Sequence, residues 1–143
     1  MSILDINQKS KKWKNIKVIA VYLAISIFCI AVNKIYVAYG HGVSSNAMTW
    51  MFWYPFVGGI LFSFLRGNMN SRINKSSGYR AFCNIYNSGI ATLTVGSFLE
   101  GIMDIAGTSS KYVVIYYQIG WFCIAFSLIL RLIQKIIKSH DIA

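Results

Sequence analysis

Acidic side chains are almost missing from this chain of 143 residues: four Asp and Glu stand against 14 Lys and Arg, for a net charge of +10. Proline occurs once, histidine twice, and charged residues make up only 13% of the whole, while 56% are hydrophobic. A soluble domain of this length would carry a largely apolar surface, so that class is excluded. The three cysteines, Cys29, Cys83 and Cys123, fall in separate apolar segments without C-x-x-C spacing. They read as small buried hydrophobes, not as a disulfide framework or metal cluster. No cofactor motif is present, and His41 and His140 fall on opposite membrane sides in the topology below, which argues against a bis-histidine haem site.

The positive charge is gathered into clusters. Lys9, Lys11, Lys12, Lys14 and Lys17 precede the first apolar run; Arg66, Arg72, Lys75 and Arg80 lie between the second and third; Arg131, Lys135 and Lys138 follow the last. Such clusters are membrane flanks that set topology and attract anionic lipid, and they make nucleic acid an unsuitable partner. Only Lys34 and Lys111 lie on the other side. The asymmetry predicts an all-α integral membrane protein, a compact bundle of four transmembrane helices in the plasma membrane with both termini cytoplasmic. One membrane domain covers 1–143, with spans at about 18–39, 48–65, 81–105 and 112–130, a basic segment 1–17 and a tail 131–143. The N-terminal run has the charged and apolar regions of a secretory signal but no small-x-small cleavage site, so it reads as a retained span. Lysine, isoleucine and asparagine richness suggests a bacterial source.

The third apolar stretch, Tyr79 to Ser110, organises the rest. It carries the only glutamate, Glu100, and one of three aspartates, Asp104, behind a series of small residues. Twenty residues from Arg80 to Glu100 make about 30 Å of helix, the thickness of the hydrocarbon, which puts both acids near the outer surface. At 100° per residue Gly89, Gly96, Glu100 and Gly107 fall within about 20° of one line, a groove on which another helix can lie closely. Glu100 and Asp104 are i and i+4 and repel unless a cation intervenes, and Lys34, at similar depth, is the expected partner if it does not simply snorkel.

Around the same outer end gather His41, between Gly40 and Gly42, and Ser44, Ser45 and Asn46, any of which can cap the second span. Lys34, His41, Ser44, Glu100 and Asp104 thus form a candidate polar vestibule. His41, Glu100 and Asp104 have the ligand types of a zinc site but no diagnostic spacing, so an enzyme is the least favoured reading. In the second span Pro55 is expected to kink or re-form the first turns, and Thr108, Ser109 and Ser110 offer caps for the fourth. The tail after Arg131 is expected to run along the inner leaflet as a basic amphipathic helix.

Two functions remain. In outline the chain is similar to the small multidrug-resistance transporters, which also have four short spans and rely on one membrane glutamate, although theirs lies in the first span and Glu100 in the third. That likeness implies a dimeric transporter in which Glu100 alternately binds a proton and a cation. The favoured reading is a non-catalytic membrane subunit that self-associates or partners a larger membrane protein through the glycine-lined third span.

Overall fold

The computed structural model describes residues 3–40, 42–67 and 77–140, and among them every regular element is a helix. In chain order these are α1 (Ile3–Tyr39), α2 (Asn46–Trp50), α3 (Trp53–Gly67), α4 (Ser77–Ile105) and α5 (Val113–His140). Among the described residues three segments are long and apolar enough to cross a membrane: Asn15–Tyr39, Asn46–Leu65 and Val113–Ile137. Hence a membrane location follows from length and composition. The expected third span, α4, is 29 residues long but is not among the three. Its polar content has a local explanation: Thr92 and Thr94 bond back to the carbonyls of Ser88 and Ile90, and Ser97 and Glu100 find partners on neighbouring helices.

The second apolar segment is two helices, not one. α2 begins at an N-cap, Ser45, whose extended backbone (φ −100°, ψ 137°) lets its hydroxyl accept from the Met48 amide at 3.5 Å. The chain breaks at Met51 and Phe52, and Pro55 then falls in the first turn of α3, where its missing N–H leaves no bond unmade. α4 ends in a Schellman motif: Thr108 donates to the Met103 carbonyl, Gly107 donates to that of Asp104, and Gly107 takes φ +67°. Ser110 supplies the turn into α5, its hydroxyl accepting from the Tyr112 amide.

Helix pairs meet at glycines. A Cβ built on Gly59 of α3 would sit 2.5 Å from Cβ of Tyr22 on α1, and one on Gly58 would sit 2.6 Å from Ile90 on α4. Gly101 of α4 lies against Met48 of α2, Gly89 and Gly96 lie against Ile124 and Tyr116 of α5, and Gly120 of α5 lies against Leu93 of α4. Removing the side chain at each crossing lets the backbones approach, the packing mode favoured within membranes. The core of Phe62, Tyr79, Phe82, Tyr86, Ile90, Leu93 and Ile124 fills the space between α3, α4 and α5. Phe62 stacks on Phe82 and Tyr86 there, and the Tyr86 hydroxyl donates to the Gly58 carbonyl at 2.9 Å.

At its C-terminal end α5 continues as one helix to His140. Arg131 is half-buried, donates to the Leu65 carbonyl in the last turn of α3, and places its guanidinium 5.8 Å from the Phe82 ring centre. The terminal carbonyls of α3 have no partner within their own helix, and a cation is favoured at that end.

Candidate functional site

The C-terminal end of α4 is where the expected vestibule residues can be judged. Glu100 is half-buried and accepts a hydrogen bond from the Tyr117 hydroxyl of α5 at 2.5 Å. The hydroxyls of Tyr54 and Ser97 also interact with Tyr117, and the Ser97 hydroxyl donates to the Ala47 carbonyl of α2 at 2.6 Å. Asp104 accepts from Ser45 at 2.6 Å, so the residue that caps α2 also holds that helix to the end of α4. The two acids are therefore drawn to different neighbours, Glu100 to α5 and Asp104 to α2. They lie about 40° apart on the helix, which is enough for the half-buried Glu100 and the exposed Asp104 to meet different elements.

The expected Lys34–Glu100 pair does not form, and no lysine or arginine pairs with an acid among the described residues. Lys34 is exposed on α1, which packs on α3, so the carboxylates are satisfied by hydroxyls instead of a cation. Ser44 is exposed beside the cap. His41 lies outside the described residues, as do Arg72 and Lys75, and the side chains of Lys9, Lys11, Lys14 and Arg66 are likewise outside them. Lys12, Arg80 and Lys135 are exposed. Among the described residues, no three of His, Cys, Asp and Glu come together as metal ligands.

The glycine line Gly89–Gly96–Glu100 is one face of α4, and α5 of the same chain lies on it. At Gly89 an added Cβ would approach the Gly120 carbonyl oxygen to 3.0 Å, leaving no room for a further helix. Gly107 is not on that surface: it is the left-handed residue of the helix stop and has open space around it.

The side of α4 that faces α1 is different. Here a cleft of about 720 Å³ runs between Val21, Ile25, Phe28 and Val32 of α1 and Ile90, Ala91, Val95 and Phe98 of α4, floored by Met51 and Pro55. α1 contains no glycine and neither does this face of α4, so the helices stand apart. Two side-chain bridges span the gap: Tyr22 donates to the Asn87 side-chain carbonyl, and Tyr36 meets Phe98 edge-on at 5.6 Å. Val21, Phe28 and Val95 remain exposed along it, so the cleft opens sideways.

Sequence reasoning missed Tyr117 as the partner of Glu100, and it missed the cleft. The first had a faint signal, a phenol on the outer half of α5. The second had one only in the absence of glycine from α1. Comparison with protein-family models, with curated proteins and with solved structures gave no match.

Proposed function

We propose that the chain is a small non-catalytic subunit of the plasma membrane, with four spans and both termini cytoplasmic, that works by associating laterally with itself or with a larger membrane protein. The observation that carries this reading is the use of the polar side chains. Those at the outer end tie helix to helix, Ser45 to Asp104, Ser97 to Ala47 and Tyr117 to Glu100, while the large open feature is apolar and faces sideways. α4 serves as the third of the four spans because neighbouring helices satisfy its polar groups, which is how such groups are tolerated at membrane depth. The basic flanks put both termini on the cytoplasmic side.

With Gly89 and Gly96 covered by α5, association falls to the outward faces. On α5 an exposed stacked pair, Phe122 and Phe126, with ring centres 6.3 Å apart, offers one such surface. The test is purification in mild detergent with intact-complex mass. A homo-oligomer or a stoichiometric second protein is expected, and a chain recovered only as a monomer refutes the reading. The transport alternative is favoured by one observation, a half-buried Glu100 that accepts from the Tyr117 hydroxyl and has no basic partner among the described residues. It requires that Glu100→Gln abolish flux in vesicles; unchanged flux removes it.

A further inference from the structure

We infer that the cleft between α1 and α4 is a binding site for one anionic phospholipid of the cytoplasmic leaflet, its acyl chain lying in the cleft and its phosphate held between Lys17 and Arg80. The inference uses the membrane placement of the proposed function but not the association.

The two side-chain bridges fix the relation of the walls. Tyr22 meets Asn87 and, further along both helices, Tyr36 meets Phe98, so α1 and α4 run parallel. The lining residues run from Val21 to Val32 and from Asn87 to Phe98, about 16 Å on each helix at ~1.5 Å per residue, beginning ~10 Å beyond Arg80 and so occupying the middle of a hydrocarbon core of ~30 Å, where the distal part of an acyl chain lies. Nearly every lining side chain is apolar, and the opening is lateral, the direction from which an acyl chain arrives.

What selects the headgroup lies at the inner end. Arg80 stands within about 20° of the helical line carrying Asn87, Ala91 and Phe98, so the α4 wall leads straight to a guanidinium. Lys17 stands within about 20° of Phe28 on the edge of the α1 wall. Counted from the Tyr22–Asn87 bridge, Lys17 lies ~7.5 Å and Arg80 ~10.5 Å inward, so the two cations reach a similar depth. Both are exposed and neither is paired with an acid among the described residues. The hydroxyl and amide of the bridge itself fall between cations and apolar wall, beside the upper part of an acyl chain so seated. General attraction of basic flanks to anionic lipid needs no cleft; here Arg80 shares the helical line of the α4 wall and Lys17 stands at the edge of the α1 wall.

The experiment is native mass spectrometry of the full chain titrated with phosphatidylglycerol or phosphatidylcholine of identical acyl chains. One phosphatidylglycerol should be retained per chain with a preference of about 25-fold, since each of the two cations near the surface contributes about fivefold. Lys17→Gln with Arg80→Gln should bring the ratio close to one, and Lys17→Arg with Arg80→Lys should keep it. Ala91→Trp, which fills the cleft from an exposed position, should expel the retained lipid of either kind. Glycerol phosphate, the headgroup without chains, should not compete at equal concentration. A benzophenone side chain at Val95 should yield chain plus one phospholipid on irradiation. Equal retention of the two lipids, a preference surviving the double Gln variant, lipid retained by Ala91→Trp, competition by glycerol phosphate, or a photo-adduct of doubled chain mass would each overturn the inference. The oligomeric mass in the same spectra reads the subunit proposal separately.

Discussion

The two long sides of α4 are built on opposite principles. Towards α5 it presents Gly89 and Gly96, which receive Ile124 and Tyr116, while Gly120 receives Leu93 in return. Towards α1 it presents Asn87, Ala91, Thr94, Val95 and Phe98 across a cleft, and α1 answers with side chains of full size. Where the bilayer supplies no hydrophobic drive between helices, close approach depends on small residues. One seam is therefore closed by the protein, and the other is left for something else to fill.

The sharpest way to break this contrast is to put the same side chain on each side. Gly89→Leu must displace both Ile124 and the Gly120 backbone, and should cost about 3 kcal/mol or more, at the upper end for overpacking. Reversible unfolding in mixed micelles reads that loss. Next in size is Arg131→Ala at the inner end of the closed side, which removes a charged donor from the Leu65 carbonyl and the contact over Phe82. About 2 kcal/mol is expected by the same assay, with Arg131→Lys intermediate. Tyr117→Phe deprives Glu100 of its donor and should cost about 1–2 kcal/mol; a double-mutant cycle with Glu100→Gln should show coupling, and strict additivity would mean that the bond contributes nothing. Ser45→Ala removes both the α2 cap and the Asp104 donor, for about 1 kcal/mol. Ala91→Leu, on the open side, should stay within about 0.5 kcal/mol. A large loss there would mean that the seam is closed after all.

Particular residues show how far the chain could be read in advance. The apolar lengths of α1 and α5 follow from composition, because span length is set by bilayer thickness. Ser45 was one of three candidate caps, and the break beside Pro55 follows from the missing N–H. The Gly89–Gly96–Glu100 line is a property of helical period alone. The occupant of that line was not legible, since a glycine face specifies close approach without naming the approaching helix. Lys34 was the natural partner for Glu100 by charge and depth, yet α1 docks on α3 and Tyr117 reaches the acid first. Arg131 looked like one more flanking cation until the end of α3 proved to lie beside it.

By itself, then, the sequence determined the helical elements, the apolar lengths and the distribution of charge, because helix period, hydrocarbon thickness and basic clustering are local to the chain. Tertiary structure alone decided which hydroxyl meets which acid, that α5 covers the glycine face, and that α1 and α4 stand apart. Those outcomes depend on the choice of neighbours, and a helix's own residues state how closely a neighbour can come but not which neighbour it is.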